Sequence, residues 1–102
     1  MASDEIQRIA IAAPATLHFQ LAKQAIEAGK DVYVEKPLCL DIGEAEELIS
    51  IAKKCERILM VGHLLQYHAY VQKLAQLVSD GELGQLFYVT SNRLNLGKIQ
   101  SV

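Results

Sequence analysis

Three short apolar segments alternate along the chain with segments in which apolar residues recur every three or four positions. The apolar segments are nearly continuous rather than alternating, which is typical of parallel strands that are covered on both faces. They predict strands over residues 8–13, 32–35 and 58–61. The periodic segments predict amphipathic helices over residues 15–28, 41–55 and 67–79. The order of the elements predicts a right-handed βαβαβα array around a parallel sheet.

Capping residues mark where the predicted helices begin and end. Gly29 and Gly81 follow the first and third helices, and glycine readily adopts the left-handed backbone conformation found after a helix. Asp41, with Glu44 three residues later, has the pattern of a capping box and predicts the start of the second helix.

The pattern changes at about Gly81. Residues 85–94 alternate in the manner of a half-exposed strand. This strand has no crossover partner within the chain, so we expect it to begin another layer or another sheet. The sequence therefore predicts a partial α/β domain over residues 1–80, and a linker with the first strand of a following domain over residues 81–102.

Composition and charge argue against several classes of partner. The chain has 102 residues, of which 51% are hydrophobic, and suits one small globular domain. Its net charge of −2 and its lack of a basic stripe argue against nucleic acid. It has no apolar run of membrane-spanning length and no signal-peptide pattern at its N-terminus, so no membrane partner is expected. Cys39 and Cys55 form no CxxC pair, which favours a reduced, cytoplasmic setting, although a disulfide between them is left open.

A glycine-rich phosphate-binding turn is missing from the sequence. A doubly wound dinucleotide-binding fold opens with a strand, a G-x-G-x-x-G turn and a helix. None of the six glycines forms that motif. A parallel sheet without its first half would expose an edge and an apolar face. We therefore expect a fragment, a truncated gene product, or a domain that another chain completes, for example in a homo-oligomer.

The second predicted strand runs directly into the sequence Glu35-Lys36-Pro37. It delivers two ionisable groups to the edge of an open α/β sheet, where ligands usually bind. The Lys36-Pro37 peptide can be cis or trans, and either isomer fixes the direction in which the lysine leaves the strand. The pattern predicts a functional site, with the alternative that the two charged residues simply close the strand.

Three segments carry a resemblance to a known family. They are Ala-Pro-Ala-Thr-Leu-His at residues 13–18, the run of residues 25–37 that ends in Glu-Lys-Pro, and Met-Val-Gly-His at residues 60–63. The chain resembles the glucose-fructose oxidoreductase / inositol dehydrogenase / MocA family of NAD(P)-dependent sugar oxidoreductases. The resemblance implies the second half of a Rossmann-like doubly wound sheet plus the first strand of a following α+β domain. Residues 91–98 look most like the branch that acts on nucleotide-linked amino sugars, such as UDP-N-acetylglucosamine or its uronate.

The resemblance also implies roles for individual residues. The cofactor would be NAD or NADP, and the substrate a sugar or nucleotide sugar. Lys36 would face both the nicotinamide and the substrate hydroxyl, which makes it the predicted catalytic residue. Arg93 and Asn95 would contact the substrate, or would belong to a solvated strand face. The predicted cofactor-binding residues are Ala13, Pro14, His18, Glu35, Lys36, Pro37 and Gln66.

The chain departs from the family pattern at several points. Ala13 stands where the family usually has threonine or serine, and His68-Ala69 stands where an Asn-Pro or His-Pro step is usual. Tyr67 and His68 line the cofactor pocket in one interpretation and belong to a loop entering a helix in the other. The histidine that usually accepts the proton would lie beyond Val102, so we expect the chain to be inactive alone.

Other interpretations lead to different classes of protein. A metal site at His63 and His68 is disfavoured, because their spacing does not align two ligands on a helix face. A non-enzymatic module is the main alternative, in which half of a Rossmann sheet pairs its exposed edge with a partner or with itself. An open reading frame that folds only partly is the third.

Overall fold

The computed structural model of the chain describes residues 5–92 and 94. Three strands alternate with three helices, as the hydrophobic pattern predicts. In chain order they are β1 (Arg8–Ile11), α1 (His18–Glu27), β2 (Asp31–Val34), α2 (Ile42–Lys54), β3 (Leu59–Val61) and α3 (Ala69–Ser79). Short 3-10 turns at Ala15–Leu17 and Leu64–Tyr67 precede α1 and α3. Most element ends differ by one to three residues from the predicted ones.

The three strands form one parallel sheet in the order β1-β2-β3. Ile11 pairs with Val34, and Val34 pairs with Val61, so the strands end side by side. The predicted parallel sheet of a Rossmann-like fold is therefore confirmed. The chain divides into two compact units, of which the first ends at Tyr67 and the second begins at His68.

The core of the first unit lies between one face of the sheet and the helices α1 and α2. Its fully buried side chains come from all of these elements: Ile11, Ala22, Ala25, Ile26, Val32, Val34, Leu48 and Ala52. The other face carries the exposed residues Arg8, Ala10, Ile58 and Met60. The prediction that both faces are covered is therefore wrong for this unit. The strands follow one another across the sheet in chain order, and the helices α1 and α2 that connect them pack in the same core on one face. Two connections of the same hand in one direction across a sheet have this result.

The predicted helix caps are confirmed. Gly29 follows α1 with a φ of 75°, which is the left-handed region that glycine adopts without a steric penalty. The Asp41 carboxylate caps α2 by accepting hydrogen bonds from the backbone N–H groups of Gly43 at 2.8 Å and Glu44 at 3.2 Å. Cys39 and Cys55 are both free thiols.

The second unit contains α3, which ends at Ser79, and the residues that follow it. The strand predicted over residues 85–94 is not formed over residues 85–92, which take no regular secondary structure. A strand is defined by hydrogen bonds to a neighbouring strand, and all three strands of the described chain pair within the first unit. Within residues 5–92 and 94, no helix has both the length and the apolar character needed to cross a membrane.

Candidate functional site

The carboxyl ends of the three strands bring together the segments that the sequence analysis singled out. Backbone pairing extends one residue beyond β2 and β3, because the Glu35 N–H donates to the Ile11 carbonyl at 2.9 Å and the Gly62 N–H donates to the Val34 carbonyl at 2.8 Å. Residues 13–14, 35–37 and 62–63 therefore follow three adjacent strand ends. This is the edge of an open α/β sheet at which ligands usually bind.

Lys36 and Glu35 differ in their exposure at this edge. The Lys36 side chain is exposed to solvent, whereas Glu35 is half-buried. The Lys36-Pro37 peptide bond is cis. Pro14, after the neighbouring strand, is also exposed, and Ala13 is half-buried. The edge thus presents one ammonium group and one partly shielded carboxylate beside an apolar surface.

His18 lies beneath this edge rather than on its surface. Its side chain is only 1% exposed. One ring nitrogen, Nδ1, lies 2.6 Å from the Pro37 carbonyl oxygen, and the other, Nε2, lies 2.8 Å from the Ala13 carbonyl oxygen. Both polar atoms of the ring therefore face the protein backbone, and His18 shapes the edge through the loops that it contacts.

Tyr33 and Gly62 belong to the same edge and were missed by sequence reasoning. The Tyr33 hydroxyl donates to Glu35 Oε1 over a long hydrogen bond of 3.4 Å. Gly62 is buried beneath the Tyr33 ring. A Cβ atom there would overlap the Tyr33 hydroxyl oxygen and lie 3.2 Å from Glu35 Oε1. The available signal was the spacing of Tyr33 and Glu35, which places both side chains on one face of the strand.

The environment of Tyr33 raises the pKa of its hydroxyl above the ordinary value of 10.0. Burial is the main cause, followed by the negative charge of Glu35 and the hydrogen bond to it, with a smaller effect from Tyr67. Tyr33 therefore remains a neutral hydrogen-bond donor to Glu35 at physiological pH.

The remaining predicted residues are less closely tied to this edge. Gln66 and Tyr67 are exposed residues of the 3-10 turn after β3. His68 begins the second unit and packs its ring against Tyr70, with the ring centroids 5.3 Å apart. Arg93 and Asn95 lie outside the described residues. In the part of the chain that the structure describes, no group of three or more potential metal ligands is brought together.

The main cavity on the sheet lies away from these groups. Its volume is about 350 Å³, and it is lined mostly by residues near the amino ends of the strands, including Arg8, Asp31 and Ile58. Only Tyr33 is shared with the carboxyl edge. The cavity is thus part of the uncovered sheet face, and we place the candidate site at the edge that carries Lys36, because the three segments singled out in the sequence meet there.

The chemistry of these groups is compatible with a ribose at one end of a dinucleotide. A carboxylate such as Glu35 accepts hydrogen bonds from ribose hydroxyls, and an ammonium such as Lys36 donates to an oxygen atom. The pyrophosphate is normally held by a glycine-rich turn at a helix N-terminus. No such turn occurs in the sequence, so these residues fit one end of the ligand and not its centre.

Comparison with known proteins finds oxidoreductases that are similar to this chain. It is 36% identical over 72 residues to UDP-N-acetylglucosamine 3-dehydrogenase from Acidithiobacillus ferrooxidans, covering 71% of this chain and 23% of that protein. The structure matches an inositol dehydrogenase homolog from Azotobacter vinelandii complexed with NAD+, with a TM-score of 0.72 and 38% identity, over 78% of this chain and 21% of that one. It also matches a 3-ketoreductase from Actinomadura kijaniata in complex with TDP-benzene and NADP, with a TM-score of 0.74 and 30% identity, over 78% and 25% of the two chains.

The matches cover most of this chain and a small part of each relative. Against three curated relatives, the chain spans between 23% and 25% of their length. The profile of an oxidoreductase family with an NAD-binding Rossmann fold matches residues 1–63. The predicted cofactor, NAD or NADP, agrees with that fold and with the ligands of the two solved structures. The chain therefore belongs to the glucose-fructose oxidoreductase / inositol dehydrogenase / MocA family of oxidoreductases.

Proposed function

We propose that this chain forms the nicotinamide side of the cofactor-binding domain of an NAD(P)-dependent oxidoreductase. The enzyme would move a hydride between the nicotinamide and a hydroxyl-bearing carbon of a sugar or nucleotide sugar. The observation that supports this most directly is the position of Glu35-Lys36-Pro37 at the carboxyl end of the central strand, with the Lys36 side chain exposed. A solvated strand end would not require the buried support that His18 and Gly62 give to this segment.

When bound, NAD(P)+ would supply the hydride acceptor, and the protein would have to stabilise the alcohol oxygen as the hydride leaves its carbon. The Lys36 ammonium is suited to that role, because a fixed positive charge favours developing negative charge on oxygen. Glu35 is suited to hold the ribose hydroxyls, since its carboxylate is partly shielded from solvent. Ala13 and Pro14 would form the apolar wall beside them. In this proposal the chain contributes binding, orientation and charge, while the proton acceptor comes from elsewhere in the enzyme.

A nucleotide sugar is the proposed substrate class. One relative is a UDP-N-acetylglucosamine 3-dehydrogenase, and one structural neighbour holds a thymidine diphosphate derivative beside NADP. Arg93 and Asn95 are proposed to contact the phosphate or sugar of that substrate. The domain that begins at residue 81 is proposed to supply the rest of the substrate site, and a homo-oligomer is the proposed assembly.

The cofactor proposal can be tested on the isotope-labelled chain by NMR titration. Nicotinamide mononucleotide should shift the backbone amides near Ala13 and Lys36, whereas adenosine monophosphate, which lacks the nicotinamide, should leave them unchanged. NADH should act like the mononucleotide. Equal responses to both mononucleotides, or no response of this edge at millimolar ligand, would contradict the assignment of a nicotinamide site.

The role of Lys36 requires a turnover measurement in an enzyme that contains this segment together with a glycine-rich first half. Lys36→Ala should lower kcat far more than it weakens cofactor binding, because the charge acts mainly on the transition state. Lys36→Arg is the matched control that keeps the positive charge. Equal losses in kcat and in cofactor affinity would argue that Lys36 only binds the cofactor.

A non-enzymatic module that self-associates is the second candidate function. The exposed Ile58 and Met60 on the uncovered sheet face favour it, because apolar sheet faces are usually covered by another chain or element. Sedimentation of the chain with and without Met60→Glu separates the two functions. Self-association that is lost in this variant, together with no response to nicotinamide mononucleotide, would favour the module over the enzyme.

A further inference from the structure

We infer that His18 is a positioning residue that joins the loop after β1 to the loop after β2 and thereby fixes the Lys36-Pro37 segment. The inference rests on the proposed function only in that it gives Lys36 a catalytic role. The joining of the two loops stands on the geometry alone.

The contacts of His18 link segments that are distant in the sequence. Its two ring nitrogens face carbonyl oxygens at residues 13 and 37, at distances of 2.8 and 2.6 Å. A carbonyl oxygen can only accept a hydrogen bond, so a ring nitrogen that carries a proton donates to the carbonyl that it faces, and the ring fills the space between the two carbonyl groups. The ring is 1% exposed, and water is therefore a poor substitute for either partner.

The two carbonyl groups that His18 faces belong to loops that are not joined by backbone pairing. Backbone pairing between the two strand ends stops with the bond from the Glu35 N–H to the Ile11 carbonyl. Beyond that bond, the His18 ring joins the two loops. One of its partners belongs to the residue directly after Lys36, and the other belongs to Ala13 in the proposed cofactor wall. A single side chain thus sets the separation of the proposed catalytic residue from the wall opposite it.

Positioning matters because catalysis is sensitive to small displacements. A shift of about 1 Å in a reacting group can lower turnover by roughly 10²-fold. A catalytic lysine on an exposed loop needs support of this kind, because loops are otherwise more mobile than the strands they follow.

The first test is the ring itself, observed by NMR in the chain labelled at histidine. A His18 ring N–H proton should exchange slowly with water and correlate with the carbonyl carbon that it faces, that of Ala13 or of Pro37. His63 and His68 are exposed and serve as internal controls that should exchange fast. His18 ring protons that exchange as fast as those of the two controls would overturn the proposed link, and this measurement needs no variant to fold.

The second test removes the donors. His18→Phe keeps a planar ring without any donor, and His18→Gln keeps donors at one end only. Each should shift the Lys36 and Leu38 amides strongly, with the larger shifts in His18→Phe. Leu48→Ala, which loosens the same unit from α2, should leave those two amides nearly unchanged. Equal shifts in the Leu48 variant would mean that the segment responds to general loss of stability, which would contradict a positioning role.

The third readout separates this inference from the proposed function. In an enzyme that contains the segment, His18→Gln should lower kcat by more than it raises KM for the cofactor, with a smaller effect than Lys36→Ala. If Lys36→Ala leaves kcat unchanged, the catalytic proposal for Lys36 fails, while the ring measurement still decides the link. If Lys36→Ala lowers kcat and His18→Gln does not, the positioning role fails alone.

Discussion

Replacing Gly62 with alanine tests whether the Tyr33 ring packs directly against the backbone after β3. An added Cβ would overlap the Tyr33 hydroxyl oxygen and lie 3.0 Å from Cζ of the same ring. Overpacking of this kind costs about 1–3 kcal/mol. Gly62 is not among the described glycines with a positive φ, so its backbone conformation also suits alanine. Alanine restricts the unfolded chain more than glycine does, which offsets about 0.4–1 kcal/mol of the cost. The expected net loss in the free energy of unfolding is about 1–2 kcal/mol.

Tyr33→Phe provides the second arm of a double-mutant cycle. It removes the overlapping hydroxyl oxygen and leaves the ring carbon and Glu35 Oε1 as the closest neighbours of the new Cβ. The cost of Gly62→Ala should therefore fall to roughly half or less in the Tyr33→Phe background, because the two sites are in contact and couple.

Urea unfolding followed by far-ultraviolet circular dichroism measures all four proteins of this cycle. If the unfolding free energy depends on urea concentration with the same slope in all four proteins, differences between their midpoints report differences in stability alone. The same loss for Gly62→Ala in both backgrounds would refute the reasoning, because the Tyr33 hydroxyl would then not be the group that excludes a side chain at position 62.

Three further predictions concern the rest of the first unit. Asp41→Ala should lower the free energy of unfolding by about 1 kcal/mol through loss of the α2 cap, while Asp41→Asn keeps most of it, as urea midpoints would show. Leu48→Ala should lower the free energy of unfolding by about 2–5 kcal/mol because Leu48 is fully buried. Ile49→Ala should lower it by less than about 1 kcal/mol, because Ile49 is 45% exposed. The hydrogen bond and charge of Glu47 raise the pKa of Lys23 above 10.5, so the stability from this pair is present below that pH and is lost as the pH rises through the raised pKa. Between about pH 8 and about pH 11, the urea midpoint should fall less steeply with pH in Glu47→Gln than in the unmodified chain. The same dependence on pH in both proteins would contradict this.

The order and type of the elements could be predicted because each follows from a local pattern. The three buried strands are short runs of apolar residues, and the helices between them carry one apolar stripe each. The ends were predicted less well. The first strand stops at Ile11 rather than at residue 13, and a 3-10 turn precedes α1. Where pairing stops depends on the neighbouring strand, which a local run of apolar residues does not reveal.

The predicted strand over residues 85–94 illustrates a limit of local patterns. Aromatic and β-branched residues such as Phe87, Tyr88 and Val89 favour an extended backbone, but a strand also needs a partner of matching register. Residues 85–92 have no such neighbour among the described strands. Sequence periodicity predicted an extended backbone for this segment but could not show whether a neighbouring strand would pair with it.

The sequence also predicted only part of the candidate site. Glu35 and Lys36 could be placed at the carboxyl edge from sequence alone, because they directly follow an apolar strand that ends before a proline. The support beneath them could not be predicted. The packing of Tyr33 over Gly62 joins residues 29 positions apart in the chain, and the contact between His18 and Pro37 joins residues 19 apart. Such contacts arise from strand register and helix placement, which no local pattern contains.

Alanine at position 13 does not change how His18 contacts the loop after β1. The resemblance implies a hydroxyl at this position, so Ala13 leaves the proposed cofactor wall without a polar side chain there. The link to His18, however, uses the backbone carbonyl of residue 13, which every amino acid supplies. The position of the loop therefore does not depend on the side chain that this sequence has lost. In the proposed site, Ala13 changes only the chemistry of the wall surface, while the contacts of His18 with the carbonyl groups of residues 13 and 37 are unaffected.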